Sequence, residues 1–355
     1  MNISKKNVLK RFNCYLGALK PQDNILILFD DDPDGLSAAI IVYRYLIAKK
    51  INKIQLEMNS GIKRLTDETI EKIKKLKVNK LILLDLAFNK DVAQFKKAEK
   101  FCDILYIDHH SIINNINSEK TLMVQAQFLR PKMNPARYCT AKITFDLFRV
   151  KETAWLAYWG IIADSASDNW MPFLLKARKK FKMSLAKAKE FFFKMGAIFL
   201  IMKSKEPGMK KFIDFYLNAK KPMYYKRGLK YYKAYQAEFK KYLKAFHKKA
   251  MFFDNLDLII YLIKSKWGVR NSLINELSFA NPNKTFVVIE DDSTDIMKLS
   301  LRRQDQKIKT NVLIANAVKG LDGSGGGHIP ASGGRIARKD VEKLIENIVE
   351  ESKPK

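Results

Sequence analysis

Cysteine is scarce in this chain of 355 residues. The three present, Cys14, Cys102 and Cys139, lie far apart and form no C-x-x-C pair. That excludes a disulfide framework and a cysteine-built zinc site, and it fits a reducing, cytoplasmic setting. Long apolar runs are missing too. The greasiest stretch, Phe191–Met202, contains Lys194 and falls well short of the roughly 20 apolar residues of a membrane span. The first residues, MNISKKNVLKRF, lack the apolar segment of a signal peptide. A soluble protein is expected. Acidic residues are few beside the basic ones, 37 against 66, for a formal charge of +29. The imbalance is concentrated: residues 171–250 hold 23 Lys/Arg and 4 Asp/Glu, a net +19. Such a field attracts polyanions, nucleic acid first among them.

What is abundant is α/β rhythm. Up to about residue 130, short apolar runs (Ile25–Phe29, Lys53–Glu57, Leu81–Leu84, Ile104–Ile107, Leu122–Ala126) alternate with helical patterns (Leu36–Lys49, Asp67–Lys77, Lys90–Phe101). This predicts a parallel sheet with helices on both faces. Helices around Ala141–Val150 and Thr153–Ala163 close the domain. Residues 171–250 read as helix, interrupted near Glu206-Pro207-Gly208 and Lys221-Pro222. Strand-like runs return at Asp257–Ile263, Thr285–Glu290, Met297–Leu301 and Val312–Ala315, followed by a glycine-rich loop and a helix over Arg338–Glu351. The expected organisation is an α/β N-terminal parallel-sheet domain (1–170), a basic helical insert (171–250) and a smaller C-terminal α/β domain (251–355). Two domains suit this length.

The chemistry gathers at strand ends. Asp30, Asp32 and Asp34 follow the first strand, Asp85 the third, and Asp108-His109-His110 the fourth; Asp164 follows an apolar helix. In an open parallel sheet the carboxyl ends of the strands form the ligand crevice, so these groups are expected to converge. Clustered carboxylates repel unless cations neutralise them. Carboxylates with one or two imidazoles suit Mn²⁺ or Mg²⁺ better than Zn²⁺. Two such ions make the usual clamp for phosphoryl hydrolysis. An EF-hand loop is excluded, because the Glu needed at its twelfth position is Ile41 here. In the C-terminal region, Gly325-Gly326-Gly327-His328 offers backbone N–H groups to an anion, and Arg335 adds a guanidinium. In the basic middle, Tyr224-Tyr225 and Tyr231-Tyr232 are interleaved with lysines, as rings that stack on bases or as a helix's core face.

These motifs resemble the DHH phosphoesterase superfamily, RecJ-like, with its DHH-associated C-terminal domain. Asp30-x-Asp32-x-Asp34-Gly35 is similar to the first motif, Asp85 to the second, Asp108-His109-His110 to the name-giving third and Gly160–Asp164 to the fourth. Gly323–Arg335 resembles the GGGH motif, and Ser300-Leu301-Arg302 a strand motif before it. Many members carry His where this chain has Asp30, although RecJ-like proteins also show Asp there. The resemblance implies that Asp30, Asp32 and Asp85 hold one metal and that Asp34, Asp85, His109 and Asp164 hold the other. It gives His110 the scissile phosphate, Asp108 an orienting role, and Ser300, Arg302, Gly325–Gly327, His328 and Arg335 the substrate. The expected activity is that of a single-strand exonuclease on DNA or RNA with two Mn²⁺ or Mg²⁺ ions. The alternatives are a phosphodiesterase of short oligonucleotides or (cyclic) dinucleotides, and a non-catalytic nucleic-acid-binding scaffold in a replication or repair complex. Single-stranded nucleic acid, with replication or repair proteins, is the expected partner.

Overall fold

The computed structural model describes residues 4–59, 64–203, 208–291 and 293–353. The chain divides into two compact units, Met1–Tyr225 and Lys226–Lys355.

The first unit opens with α1 (Lys5–Gly17) and then alternates: β1 (Asn24–Asp30), α2 (Pro33–Ala48), β2 (Lys53–Asn59), α3 (Asp67–Lys75), β3 (Lys80–Leu84), α4 (Val92–Ala98), β4 (Asp103–Asp108) and β5 (Thr121–Gln125). All five strands are parallel, in the order β2-β1-β3-β4-β5. Burial on both faces explains why β1, β3, β4 and β5 read as continuous apolar runs, whereas the edge strand β2 (KIQLEMN) is half exposed. Leu26, Leu28, Leu81, Leu83, Ile104 and Tyr106 form one face, covered by Ile70 and Ile73 of α3 and Phe95 and Ala98 of α4. The alternate residues face α2 and α6 (Thr140–Phe148), which follows the single turn α5 (Ala126–Leu129).

Next comes α7 (Ala154–Ala163, AWLAYWGIIA), which is apolar all round and packs among α2, α6 and α9 (Leu185–Lys203). A helix without a polar face needs neighbours on every side. Trp155 and Trp159 of α7 both meet Tyr216 of α10 (Gly208–Asn218), at 6.1 and 5.4 Å between ring centroids, and α8 (Met171–Lys180) precedes α9. Phe191–Met202 therefore lies on α9 as a packed helix, and no helix among the described residues is long and apolar enough to cross a membrane. Of the expected interruption at Glu206-Pro207-Gly208, Glu206 and Pro207 lie outside the described residues.

The second unit starts with α11 (Lys226–Lys249). It continues with β6 (Met251–Phe253), β7 (Leu258–Lys264), α12 (Arg270–Ala280), β8 (Thr285–Asp291), β9 (Ile296–Arg302), α13 (Thr310–Ala317), β10 (Gly323–Gly327), β11 (Ala331–Ala337) and α14 (Val341–Glu351). Its mixed sheet runs β10-β11-β9-β8-β7-β6, with only β7 and β8 parallel. Two segments differ from expectation. Val312–Ala315 is helical: Leu313, Ile314 and Ala317 recur at helical spacing and close over the sheet, and a four-residue apolar run cannot separate helix from strand. The expected glycine-rich loop is a β-hairpin, because Gly323–Gly327 pairs with Ser332–Ile336 and only His328–Pro330 turn.

Candidate metal centre and phosphate site

In the order β2-β1-β3-β4-β5 the connections diverge between β1 and β3, and crevices for ligands form at such switch points. Asp30 ends β1 and Asp85 follows β3, so these two acids flank the crevice. Gly35 is required there, since a Cβ would stand 2.7 Å from the Asp30 carbonyl oxygen. Asp85 has φ +62, a left-handed conformation that Asp tolerates better than most residues, and its N–H donates to Ile107 O at 3.0 Å.

Two helix N-termini organise the acids. Asp32 caps α2, its Oδ1 accepting from Gly35 N at 2.9 Å with Pro33 in the first helical position. Asp34 accepts from Thr140 N (2.7 Å) and Ala141 N (2.9 Å) at the start of α6. Thr140 Oγ1 donates to Asp85 Oδ1 at 2.9 Å. Positive helix ends thus offset part of the clustered negative charge. Asp164 caps the carboxyl end of α7, where the dipole gives no such help.

Ligand atoms converge in overlapping groups. Asp30, Asp32 and Asp85 form one, and Asp34, Asp85 and His109 another. Asp34 and Asp164 join Cys139 in a third, the atoms of each group within 4.8 Å of one another. His109 Nε2 lies 3.3 Å from Asp85 Oδ1 and 3.5 Å from Asp164 Oδ2. Asp108 is spoken for differently. It is fully buried and receives Tyr106 Oη (2.8 Å) and Gln125 Nε2 (3.2 Å), and its Oδ1 meets His110 Nδ1 at 2.7 Å. It fixes the ring of His110, and with Asp85 and His110 it forms a further group of ligand atoms within 4.8 Å of one another.

The electrostatics describe a site short of positive charge. Burial, then Asp85 and Asp31, push Asp30 up to about 7. Burial lifts Asp164 to about 6, with Asp85 adding and His109 opposing. Burial and Asp85 hold Asp32 and Asp34 well above the carboxylate range. Asp108 differs: although burial opposes its charge, His110 holds it well below that range. His109 is raised by Asp164 and Asp85 against the effect of burial. Carboxylate oxygens and an imidazole nitrogen are the donors a hard divalent cation takes. Asp164 Oδ2, buried and without a hydrogen bond among the described residues, fits that use. Mn²⁺ at about a hundredfold over its dissociation constant would then stabilise by about 2.7 kcal/mol, roughly 5–10 °C in the melting of a unit this size. Differential scanning calorimetry checks this; a shift no larger than that given by NaCl at equal ionic strength would contradict it.

Lys203, the last residue of α9, pairs with Asp31 Oδ2 at 2.6 Å and donates to the Asp31 carbonyl at 2.9 Å, anchoring the acidic turn. Lys203, Thr140, Cys139, Tyr106 and Gln125 carried no sequence signal of a role. Burial next to Asp34 and Asp164 holds the Cys139 thiol neutral, its pKa raised well above the usual range.

In the second unit, Ser300 Oγ meets Asn271 Oδ1 at 2.8 Å, and Arg302 Nε donates to Asn275 Oδ1 at 2.9 Å. Burial, with nearby Arg270, brings the Arg302 guanidinium down to about 10. Gly333 pairs with Ser300, and exposed Arg335 stands directly across from Lys298. On its other side Lys298 faces Glu290 of β8. Two of the glycines answer to packing: a Cβ at Gly325 would lie 2.4 Å from Ile314, and one at Gly334 2.3 Å from the Ser324 carbonyl. Gly326 faces open space. His328 sits in the hairpin turn, its N–H bonded to Ala331 O at 2.9 Å.

Residues 24–165 match the DHH family, N-terminal domain, and residues 258–353 the DHHA1 domain. The chain belongs to the DHH phosphoesterase superfamily, with a DHHA1 domain in its C-terminal part. Among curated proteins none matches. The fold is similar to that of a structure described as "Member of s1p family of ribosomal proteins PF0399 DHH domain" (TM-score 0.73, 12% identity, 98% of this chain and 90% of that one). It is also similar to RecJ from Thermus thermophilus in complex with Mn²⁺ (0.64, 15%, 97% and 54%). A third is an exopolyphosphatase-related protein from Bacteroides fragilis (0.60, 14%, 98% and 97%).

Proposed function

We propose that the protein is a metal-dependent phosphodiesterase acting as an exonuclease on single-stranded DNA or RNA. One observation carries the reading: Asp85, on left-handed backbone between β3 and the crevice, belongs to both the Asp30–Asp32 group and the Asp34–His109 group. A carboxylate shared in this way is what a pair of divalent ions, Mn²⁺ or Mg²⁺, requires. Asp30, Asp32 and Asp85 would hold one ion, and Asp34, Asp85, His109 and Asp164 the other. Two bound ions would supply a water nucleophile at neutral pH and neutralise charge on the phosphate oxygens. With Nδ1 committed to Asp108, His110 would meet a phosphate oxygen through Nε2. Ser300, Arg302, Gly326, His328 and Arg335 would hold a non-scissile part of the substrate.

The test is a digestion time course with Mn²⁺ on end-labelled single-stranded DNA, RNA and a dinucleotide. Stepwise shortening of the polymers is expected. Cleavage confined to the dinucleotide would give the short-substrate alternative, and binding without cleavage of any substrate would give the scaffold.

A further inference from the structure

The basic surface of α11 has an order that composition alone does not reveal. Lys226, Lys230, Lys233, Lys240, Lys244 and Lys248 follow one another at intervals of four, three, seven, four and four residues, and all are exposed. At 3.6 residues per turn they fall on one line, opposite the buried Gly228, Tyr235, Tyr242 and Phe246. With a rise of about 1.5 Å per residue the line is roughly 33 Å long.

Nothing on the helix neutralises it. Glu238 is the one acid between Lys226 and Lys249, and it is turned to the sheet side, accepting from Lys266 N and Trp267 N at 2.9 Å each and from Ser265 Oγ at 3.1 Å. Among the described residues none of the six lysines forms an ion pair. Lysines three and four apart repel, and a solvated helix face ordinarily relieves this with interspersed Glu.

The tyrosine rings are occupied, and Lys230 Nζ itself lies over that of Tyr231, 4.7 Å from its centroid. Tyr242 Oη donates to Lys264 O and Tyr235 Oη to Ser272 Oγ at 2.5 Å, while Tyr231 packs on Trp267 with centroids 5.6 Å apart. Tyr224 and Tyr225, just before α11, pack on Phe191 and Phe212 in the first unit. Alongside the lysines the helix also exposes Ala234, Gln236, Ala237, Lys241 and His247, whose ring stacks on Phe252 with centroids 6.3 Å apart. The line therefore offers ammonium groups to meet phosphates, while the tyrosines of the helix are engaged in contacts of their own.

We propose that this face of α11 is a sequence-blind track for the sugar–phosphate backbone of a single strand, which deepens the exonuclease reading above and rests on it. The lysines stand about 4.5–10 Å apart along the helix. That spacing suits a chain with a sugar between its charges better than inorganic polyphosphate, whose charges sit on adjacent phosphorus atoms.

The test is equilibrium binding of single-stranded oligonucleotides in EDTA, where no hydrolysis intervenes, over a range of salt. Three proteins are compared: the unaltered chain, the six lysines changed to Ala, and a charge-matched control in which exposed Lys5, Lys6, Lys53, Lys74, Lys75 and Lys100 become Ala. Thermal melts verify folding, and a six-fold Lys→Gln set repeats the test should the Ala set melt early. The log–log salt slope should flatten by about 0.7 for each lysine that meets a phosphate, up to about 4, in the α11 sets only. Slopes for oligo-dT and mixed sequence should agree. Equal effects in the control set, a slope that depends on base identity, or tighter competition per charge by inorganic polyphosphate would each overturn the proposal. Because binding is read without metal, an inactive enzyme that binds this way sinks the exonuclease reading alone. An active one that fails the comparison sinks the track alone.

Discussion

Asp85→Asn is expected to lower kcat/KM at least about 1,000-fold, a loss of roughly 4 kcal/mol of transition-state stabilisation, without unfolding the protein. The substitution isolates charge from shape. Asn occupies the left-handed region nearly as readily as Asp, so the backbone at φ +62 can stay as it is. An Ala there would add strain of its own and confuse the result. Asp85 also raises the pKa of Asp30, Asp32, Asp34 and Asp164. Removing its charge relieves repulsion in the metal-free protein, which should melt no lower than the parent and gain less on addition of Mn²⁺. Steady-state kinetics with Mn²⁺ and calorimetry of both proteins check this. Full activity of Asp85→Asn would remove the shared-carboxylate account.

Gly160→Ala is the second large effect, and it acts through position. Gly160 lies on α7 where a Cβ would fall 2.4 Å from Asp34 Oδ1 and 2.6 Å from the Ala141 Cβ. Neither neighbour can move aside easily. Asp34 is pinned by the N–H groups of Thr140 and Ala141, and α2, α6 and α7 pack on one another. The Asp34 carboxylate must leave its seat, so activity should fall about 100-fold or more and Mn²⁺ affinity with it. Crowding of this kind costs roughly 1–3 kcal/mol of stability. Gly196→Ala on α9 is the control: its Cβ would meet nothing nearer than Trp159 Nε1 at 3.9 Å. It should leave kcat/KM unchanged and, by helix propensity, stabilise by up to about 1 kcal/mol. Parallel losses of activity in both variants would point to general damage to the helical layer.

These two residues show what a sequence does and does not disclose. Asp85 was legible because a buried parallel strand, Leu81–Leu84, ends in it, and a strand's carboxyl end has a known place in such a sheet. The same logic found Asp30, Asp108 and His109. Gly160 stood inside a motif, but its reason, the approach of Asp34 from another helix, is a tertiary fact. Thr140 and Tyr106 are similar: a threonine starting a helix and a tyrosine in a strand look ordinary until Asp85 and Asp108 are brought to them. Val312–Ala315 misled for a local reason, being too short for its period to show. The lysine line of α11 was visible as charge, yet its one-sidedness emerged only when Tyr235, Tyr242 and Phe246 were found facing the sheet.

The most direct measurement is anomalous X-ray scattering from crystals grown with Mn²⁺. Two peaks are expected in the crevice beyond β1 and β3, with Asp85 touching both, Asp30 and Asp32 on one side and Asp34, His109 and Asp164 on the other. A single peak, or a pair that does not share Asp85, would contradict the shared-carboxylate site.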